Sequence, residues 1–345
     1  MIWPVSLLRI AMGAAERGLD ELVSAGNLTS KLGEMQHRAD LYDLVDYEGY
    51  EDQLLEKEQT IVSRGSSTEL SFAFAANYNE RLMIGLSIGM PIIYFEHDSD
   101  YAETDPGTQA GGNVPYFESL EYNDRFTTTG GGVNAKLGLI YRLNQAIRLS
   151  GAIHTPTGFT FEDQYETELI NNYFIDADES GDFAGGEASE TGFFEYQLSS
   201  PWRYFLGAGF IIGKKGFLSA EAERVDYHVS RFNIDGFQAY ETDINDQIHS
   251  RLTDVINLRI GGEMAINQYR FRLGYGIFPS AYRGDNSQRS TYSAGIGLRQ
   301  NDLFLDIAYR YTHYNEQFYP YETQQAVLPE VAIDNNLHRL LFTVG

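Results

Sequence analysis

The sequence predicts an all-β fold, a transmembrane antiparallel β-barrel, on three observations. From about residue 66, apolar and polar residues alternate with a period of two. The connections between the alternating runs are short and long in turn. The composition is rich in Gly and Tyr, acidic and free of cysteine. That combination suits an outer-membrane barrel, whose lipid-facing band is hidden from averaged hydropathy by the polar residues between.

Residues 1–65 read differently. The apolar run of Met1 to Ala15 is short and broken by Arg9, so a secretory leader is not expected in it, and the natural N-terminus is expected to lie upstream of Met1. Leu19 to Ala25 reads as a short helix ended by Gly26. Leu28, Leu32, Met35, Tyr42 and Val45 then recur at mostly three- and four-residue spacing, with Glu34, Arg38, Asp40 and Asp43 between them. This is an amphipathic helix with Asn27 or Thr29 as N-cap. Its polar face is acidic, so residues 1–65 are expected to form a packed helical segment rather than a membrane-surface helix.

The barrel is expected over 66–345. Ile256, Leu258, Ile260, Gly262, Met264 and Ile266 share one face, and Asn257, Arg259, Gly261 and Glu263 the other. Tyr269, Phe271, Leu273, Tyr275 and Ile277 oppose Arg270, Arg272 and Gly274; Leu303, Leu305, Ile307, Tyr309 and Tyr311 oppose Asp306, Ala308 and Arg310. Polar faces that mix charges of both signs with Gly, Ser and Ala suit a crowded, wet lumen. Short connections fall near 79–80, 144–145, 214–216, 267–268 and 301–302, and long ones near 104–117, 167–190, 233–253, 282–289 and 316–333. Tight turns at one end and long loops at the other are the barrel arrangement. A soluble sandwich alternates too, but its strands are usually only ~5–6 residues long. About eleven strands are counted on this pattern. Single-chain bacterial barrels have even numbers, and lipid does not tolerate an open edge, so strands beyond these are expected. The closing Leu341-Phe342-Thr343-Val344-Gly345 lacks a terminal aromatic residue, which points the same way.

Charge and composition exclude several functions. The chain has 345 residues, 25 Lys and Arg against 49 Asp and Glu, a net charge of −24. Nucleic acid is thereby excluded as a partner. Without cysteine there is no disulfide, thiol nucleophile or Cys-ligated metal. His97, Asp98, Ser99 and Asp100 are neighbours on a strand, so they alternate faces and do not converge as a triad. No nucleophile elbow accompanies them, and the chain is not read as an enzyme.

Gly132-Val133-Asn134-Ala135-Lys136-Leu137-Gly138-Leu139-Ile140-Tyr141-Arg142, followed by Gly151-Ala152-Ile153-His154-Thr155-Pro156-Thr157, resembles the FadL/TodX-type transporters of hydrophobic compounds, in the form found in Bacteroidetes-like bacteria. Ala76-Asn77-Tyr78-Asn79 and the last five residues match as well. The resemblance covers roughly 66–345. It implies a 14-stranded barrel in the bacterial outer membrane, with an N-terminal hatch, that takes up long-chain fatty acids or other hydrophobic small molecules passively. Outer-membrane lipid and the barrel-assembly machinery would be its partners, and it would be a monomer. The Asn-Pro-Ala segment of the hatch is absent here. The visible strands would be the fourth to the fourteenth, and residues 1–65 an extracellular excursion before them.

The site expectations follow. Phe159, Phe161 and Phe210 are candidate lumen aromatics near the extracellular end, and Arg148, His154 and Arg270 are candidate lumen groups for a carboxylate. Lys136, Arg148, Arg259, Arg270, Arg272 and Arg310, with Glu221, Glu223, Glu263 and Asp306, are expected to brace the lumen as paired charges. No cofactor is called for, calcium being the one candidate ion. Asp176, Asp178, Ser180, Asp182 and Glu187, with Gly181 between, match the oxygen spacing of a calcium loop, although the flanks do not read as helices. The rival functional class is a surface-exposed binding or adhesion barrel with calcium-stabilised acidic loops. A transporter should present an apolar cavity open to the outside, and an adhesin a lumen filled by charged pairs.

Overall fold

The computed structural model describes residues 56–105, 117–174, 182–300, 303–318 and 331–345. Residues 1–55, with both expected helices, lie outside them. Fifteen strands form one antiparallel sheet: β1 Glu56–Tyr78, β2 Leu82–Thr104, β3 Phe117–Arg142, β4 Ile147–His154, β5 Gly158–Phe174, β6 Asp182–Ala188, β7 Gly192–Ser199, β8 Arg203–Ile212, β9 Gly216–Asp226, β10 Arg231–Asn233, β11 Asp254–Ile266, β12 Tyr269–Pro279, β13 Gln288–Gln300, β14 Leu303–Phe318 and β15 Val331–Val344. Among the described residues a single α-helix, α1, spans Gln238–Arg251.

The tight turns gather at one end. Asn79 and Glu80 at φ 50° and 54°, and Asn267 at φ 51°, take the left-handed conformation that tight hairpin turns need. At this end the sheet runs β1-β2-β3-β4-β8-β9-β11-β12-β13-β14-β15, the eleven strands expected from the sequence. Toward the other end it splits. β3 pairs with β4 through Lys136–Arg142 and with β5 through Phe117–Val133. β5 therefore continues above β4, and β7 above β8, as an extension carrying β6 and β10. β1 begins at Glu56, so residues 56–65 belong to the sheet and not to a helical excursion. Their alternation is too polar to read as a strand.

Each face is dictated by the alternation. Leu70, Phe72, Phe74, Leu86, Ile88, Leu137, Leu206, Leu218, Leu258, Ile260, Leu273, Ile296, Leu305 and Ile307 are all exposed on one side. Tyr78, Tyr141 and Tyr269 are exposed near the tight turns. Higher on the same face Tyr275, Tyr292, Tyr311 and His338 stand in one cross-strand row; their rings are 4.9, 6.2 and 5.1 Å apart. On β12 the apolar positions run from Tyr269 to Pro279. Ten steps of about 3.3 Å, at a tilt of about 40°, make a band about 25 Å tall. A soluble protein does not expose an apolar surface of this extent.

Candidate functional site

The opposite face carries charge at mid-height and an aromatic cluster at the loop end. Lys136 pairs with Glu69. Glu223, 2% exposed, receives Arg203 at 3.3 Å, Arg259, and the Asn257 amide at 3.3 Å. Arg259 also reaches Glu221 at 2.6 Å. Arg272 bridges Glu263 (2.7 Å) and Asp306 (2.8 Å), and Arg299 closes on Asp306 at 2.7 Å. These are the bracing pairs expected from the sequence, with Arg203, Arg299 and Glu69 added. Among the described residues Arg148, which faces Arg142 near a tight turn, and Arg310 are the exceptions; Arg310 is taken up below.

Above this wall the strand extensions and α1 enclose an apolar cluster. Ile93, Phe159, Phe161, Tyr196, Leu198, Val225, Tyr227, Phe232, Ile234, Ile244, Ile248, Leu252, Val255 and Ala281 are buried together. Phe159 and Phe161 stack at 5.1 Å, Phe161 meets Tyr196 at 5.5 Å, and Tyr196 meets Phe232 at 5.4 Å. They lie flat because β3 opposite them reads Gly130-Gly131-Gly132. A Cβ on Gly132 would stand 2.8 Å from Phe159 Cδ1 and 2.6 Å from the Gly158 carbonyl oxygen. From the helix come Ile244, Ile248 and the following Leu252, four residues apart on one face. The helix is held to β10 by side chains. Asn245 Oδ1 accepts from Phe232 N–H and its Nδ2 donates to Phe232 O, both at 2.9 Å; Glu241 Oε2 accepts from Ile234 N–H at 2.9 Å.

Among the described residues Asp163 is the carboxyl buried beside the cluster. It is 6% exposed and accepts from Tyr196 Oη at 3.5 Å. Burial pushes it up to about 7, against hydrogen bonds from Thr128 and Tyr196 that lower it. Burial and the nearby Asp163 likewise raise the Tyr196 and Tyr240 phenols. Below about pH 7 the cluster therefore holds neutral hydroxyls and a protonated acid among aromatic rings.

Only part of the expected site converges. Phe159 and Phe161 lie in the cluster. Phe210 does not: it has the parity of Tyr204 and Leu206, is 49% exposed on the apolar face, and sits three residues from the tight turn at Gly213. His154 faces the charged wall, its ring 4.6 Å from Phe205. Arg148 and Arg270 are far from the mouth, at tight turns; Arg270 Nη1 donates to Asn267 O and Tyr269 O, both at 2.9 Å. Asp176, Asp178 and Ser180 lie outside the described residues. The backbones of Asp182 and Glu187 lie on extended strand β6, opposite Phe174 and Leu169, so the strand separates these two positions instead of winding them around one centre. Asp163, Tyr196 and α1 were missed, although Ile244, Ile248 and Leu252 mark the helix by their spacing. A shallow apolar groove of about 560 Å³, lined by Leu206, Ala208, Ala220, Ala222, Leu258 and Ile260, opens on the outer apolar face.

An apolar band outside, tyrosine rows on it, paired charges inside and long loops at one end decide the architecture. The sheet is the wall of an outer-membrane-type β-barrel. Among solved structures the chain is similar to the Ralstonia pickettii toluene transporter TbuX (14% identity, 73% of this chain and 65% of that one, TM-score 0.42). It is also similar to the CymD monoaromatic hydrocarbon channel (11%, 75% and 82%, 0.37) and to the RagAB peptide transporter (8%, 74% and 31%, 0.30). These likenesses are too distant to carry weight beside the wall's own surface. A 50-residue stretch is 46% and 48% identical to the probable 2-methylisocitrate lyases 2 and 1 of Corynebacterium glutamicum. It is 14% of this chain and 16% of each enzyme, so the chain spans a small part of the curated relatives it matches. No family model matches.

Proposed function

We propose that this wall belongs to a passive channel that admits hydrophobic small molecules across the bacterial outer membrane, the function that the FadL-type resemblance implies. The observation that carries the reading is the aromatic cluster at the loop end, set over a wall of paired charges. A greasy solute gains about 25 cal/mol per Å² of apolar area removed from water, before the costs of association. Phe194 and Tyr240, half-buried at the edge of the cluster, offer such area where a molecule from outside arrives first, with Phe159, Phe161 and Tyr196 buried behind them. The hydroxyls among them, and Asp163 while it keeps its proton, tolerate a polar headgroup without demanding one. Long-chain fatty acids and monoaromatic hydrocarbons both fit this chemistry.

The test is flux into proteoliposomes containing the full chain. Palmitate and toluene are measured against glucose, with Phe161→Ala and Tyr196→Ala beside the parent. Hydrophobic uptake that falls several-fold in both variants is expected. Glucose crossing freely while neither hydrophobic solute binds or crosses would identify a polar pore. Hydrophobic binding without flux would favour the surface-binding barrel, which the charge pairs of the wall also suit.

A further inference from the structure

The eleven-strand path leaves two edges, β1 and β15, whose outer sides have no strand partner among the described residues. Every neighbouring pair in the path is antiparallel. With an odd number of strands, β1 and β15 run in the same direction, from the loop end to the tight-turn end. They cannot close antiparallel on each other. Backbone groups within a bilayer must be paired, so an odd number of strands has to stand between the edges, and the one beside β15 must ascend.

The inner face of β15 says what that strand carries. Arg339 stands directly opposite Arg310 of β14, and Arg310 has the inner-face parity of Asp306 and Ala308. Like charges directly opposite destabilise a sheet. Arg203, Arg259, Arg272 and Arg299 each have a carboxylate within 4 Å; among the described residues Arg310 and Arg339 have none. The other facing pair, Arg142 and Arg148, sits beside a tight turn, where water reaches it. The neighbours of Arg310 in its row are Ser293, Gly274 and Gly261, too small to reach across. We infer that the strand docking on β15 is an ascending amphipathic strand with an inward Asp or Glu set against Arg339 and Arg310. This rests on the membrane-wall reading and is independent of what the channel carries.

The absence of native cysteine and a charge swap make the inference testable. The full chain in detergent micelles is titrated with fluorescent twelve-residue strand peptides of alternating apolar and polar pattern. Their central inward residue is Glu or Lys. The Glu peptide is expected to bind at least ten-fold tighter, and Arg339→Glu to reverse the order. Should that variant not fold, Arg339→Gln is expected to level the two peptides. Equal binding of both peptides to the parent, or a preference that Arg339 variants leave unchanged, would overturn the assignment. So would an intramolecular disulfide in the Phe72→Cys/Phe342→Cys double variant, since it would place β1 directly on β15.

Discussion

Asn245 of helix α1 does for Phe232 what a neighbouring strand would do: its amide accepts from the Phe232 N–H and donates to the Phe232 carbonyl, both at 2.9 Å. β10 has β7 on one side only. Its other edge is satisfied by helix side chains, Asn245 and Glu241. This ties the lid of the aromatic cluster to the sheet by hydrogen bonds as well as by the apolar contacts of Ile244 and Ile248. Asn245→Ala should leave two backbone groups without their partner and cost about 1–3 kcal/mol of local stability. Amide exchange at Phe232 and Ile234 should accelerate while that of β12 and β13 stays unchanged.

The glycines opposite the phenylalanines make a second prediction. Gly132 is empty because Phe159 fills its space, so Gly132→Val should force the ring or the Gly158 backbone to shift. Overpacking of this kind costs about 1–3 kcal/mol. Phe159→Ala combined with Gly132→Val should recover part of the loss, and a denaturation series on the single and double variants would show whether it does.

Glu223 anchors the charged wall. It is buried and holds Arg203, Arg259 and Asn257. Glu223→Gln keeps the shape and removes the charge that two guanidinium groups face. A loss of roughly 3 kcal/mol is expected, the low end for breaking a buried pair, because Arg259 is 39% exposed. Arg259→Gln added to Glu223→Gln should cost less than the sum of the two.

How much of this was legible in the sequence depended on period. Where alternation was unbroken, as in Ile256–Ile266 or Leu303–Tyr311, both the strand and its outward face were readable. The face of Phe210 was not, because β8 interposes Gly207, Ala208 and Gly209, whose small side chains give no sign of phase. The extensions hid for another reason. β4 and β5 look like one long strand, and only the Thr155-Pro156-Thr157 interruption marks where pairing passes from β8 to β7. Asp163 reads as one more acid in a chain of net charge −24, since burial among rings 33 residues away in sequence leaves no local signal.

The apolar face offers a prediction that separates bilayer from water. Leu258 is 49% exposed, so in a soluble protein Leu258→Arg would change stability by about 0.5 kcal/mol or less. In a barrel wall the same change near the midplane should cost about 2–4 kcal/mol. Unfolding from phospholipid vesicles measures the difference directly, and a detergent-free soluble monomer would contradict the wall.

The pH dependence of the mouth follows from Asp163 and Asp124, both on the loop-end extensions. Burial lifts Asp163 from its ordinary 3.8 to about 7 and Asp124 from 3.8 to about 6, the latter against a hydrogen bond from Thr167. Both carboxyls hold a proton in the folded mouth at pH values where the unfolded chain has released it. Between about pH 4 and 7 the native state therefore binds more protons than the unfolded state, and stability falls as pH rises. Below that window both states are protonated and the dependence vanishes; above it both are ionised and the loss is complete. Asp163→Asn should abolish the dependence between about pH 6 and 7 and halve it below pH 6, and Asp124→Asn should halve it between about pH 4 and 6 and leave the part up to pH 7. The readout is amide exchange at Phe161, Tyr196 and Ile248 across pH 4–8, corrected for the intrinsic exchange rate. Protection that rises with pH in the parent, or a slope that survives in the double variant, would show that these acids are not what the mouth responds to.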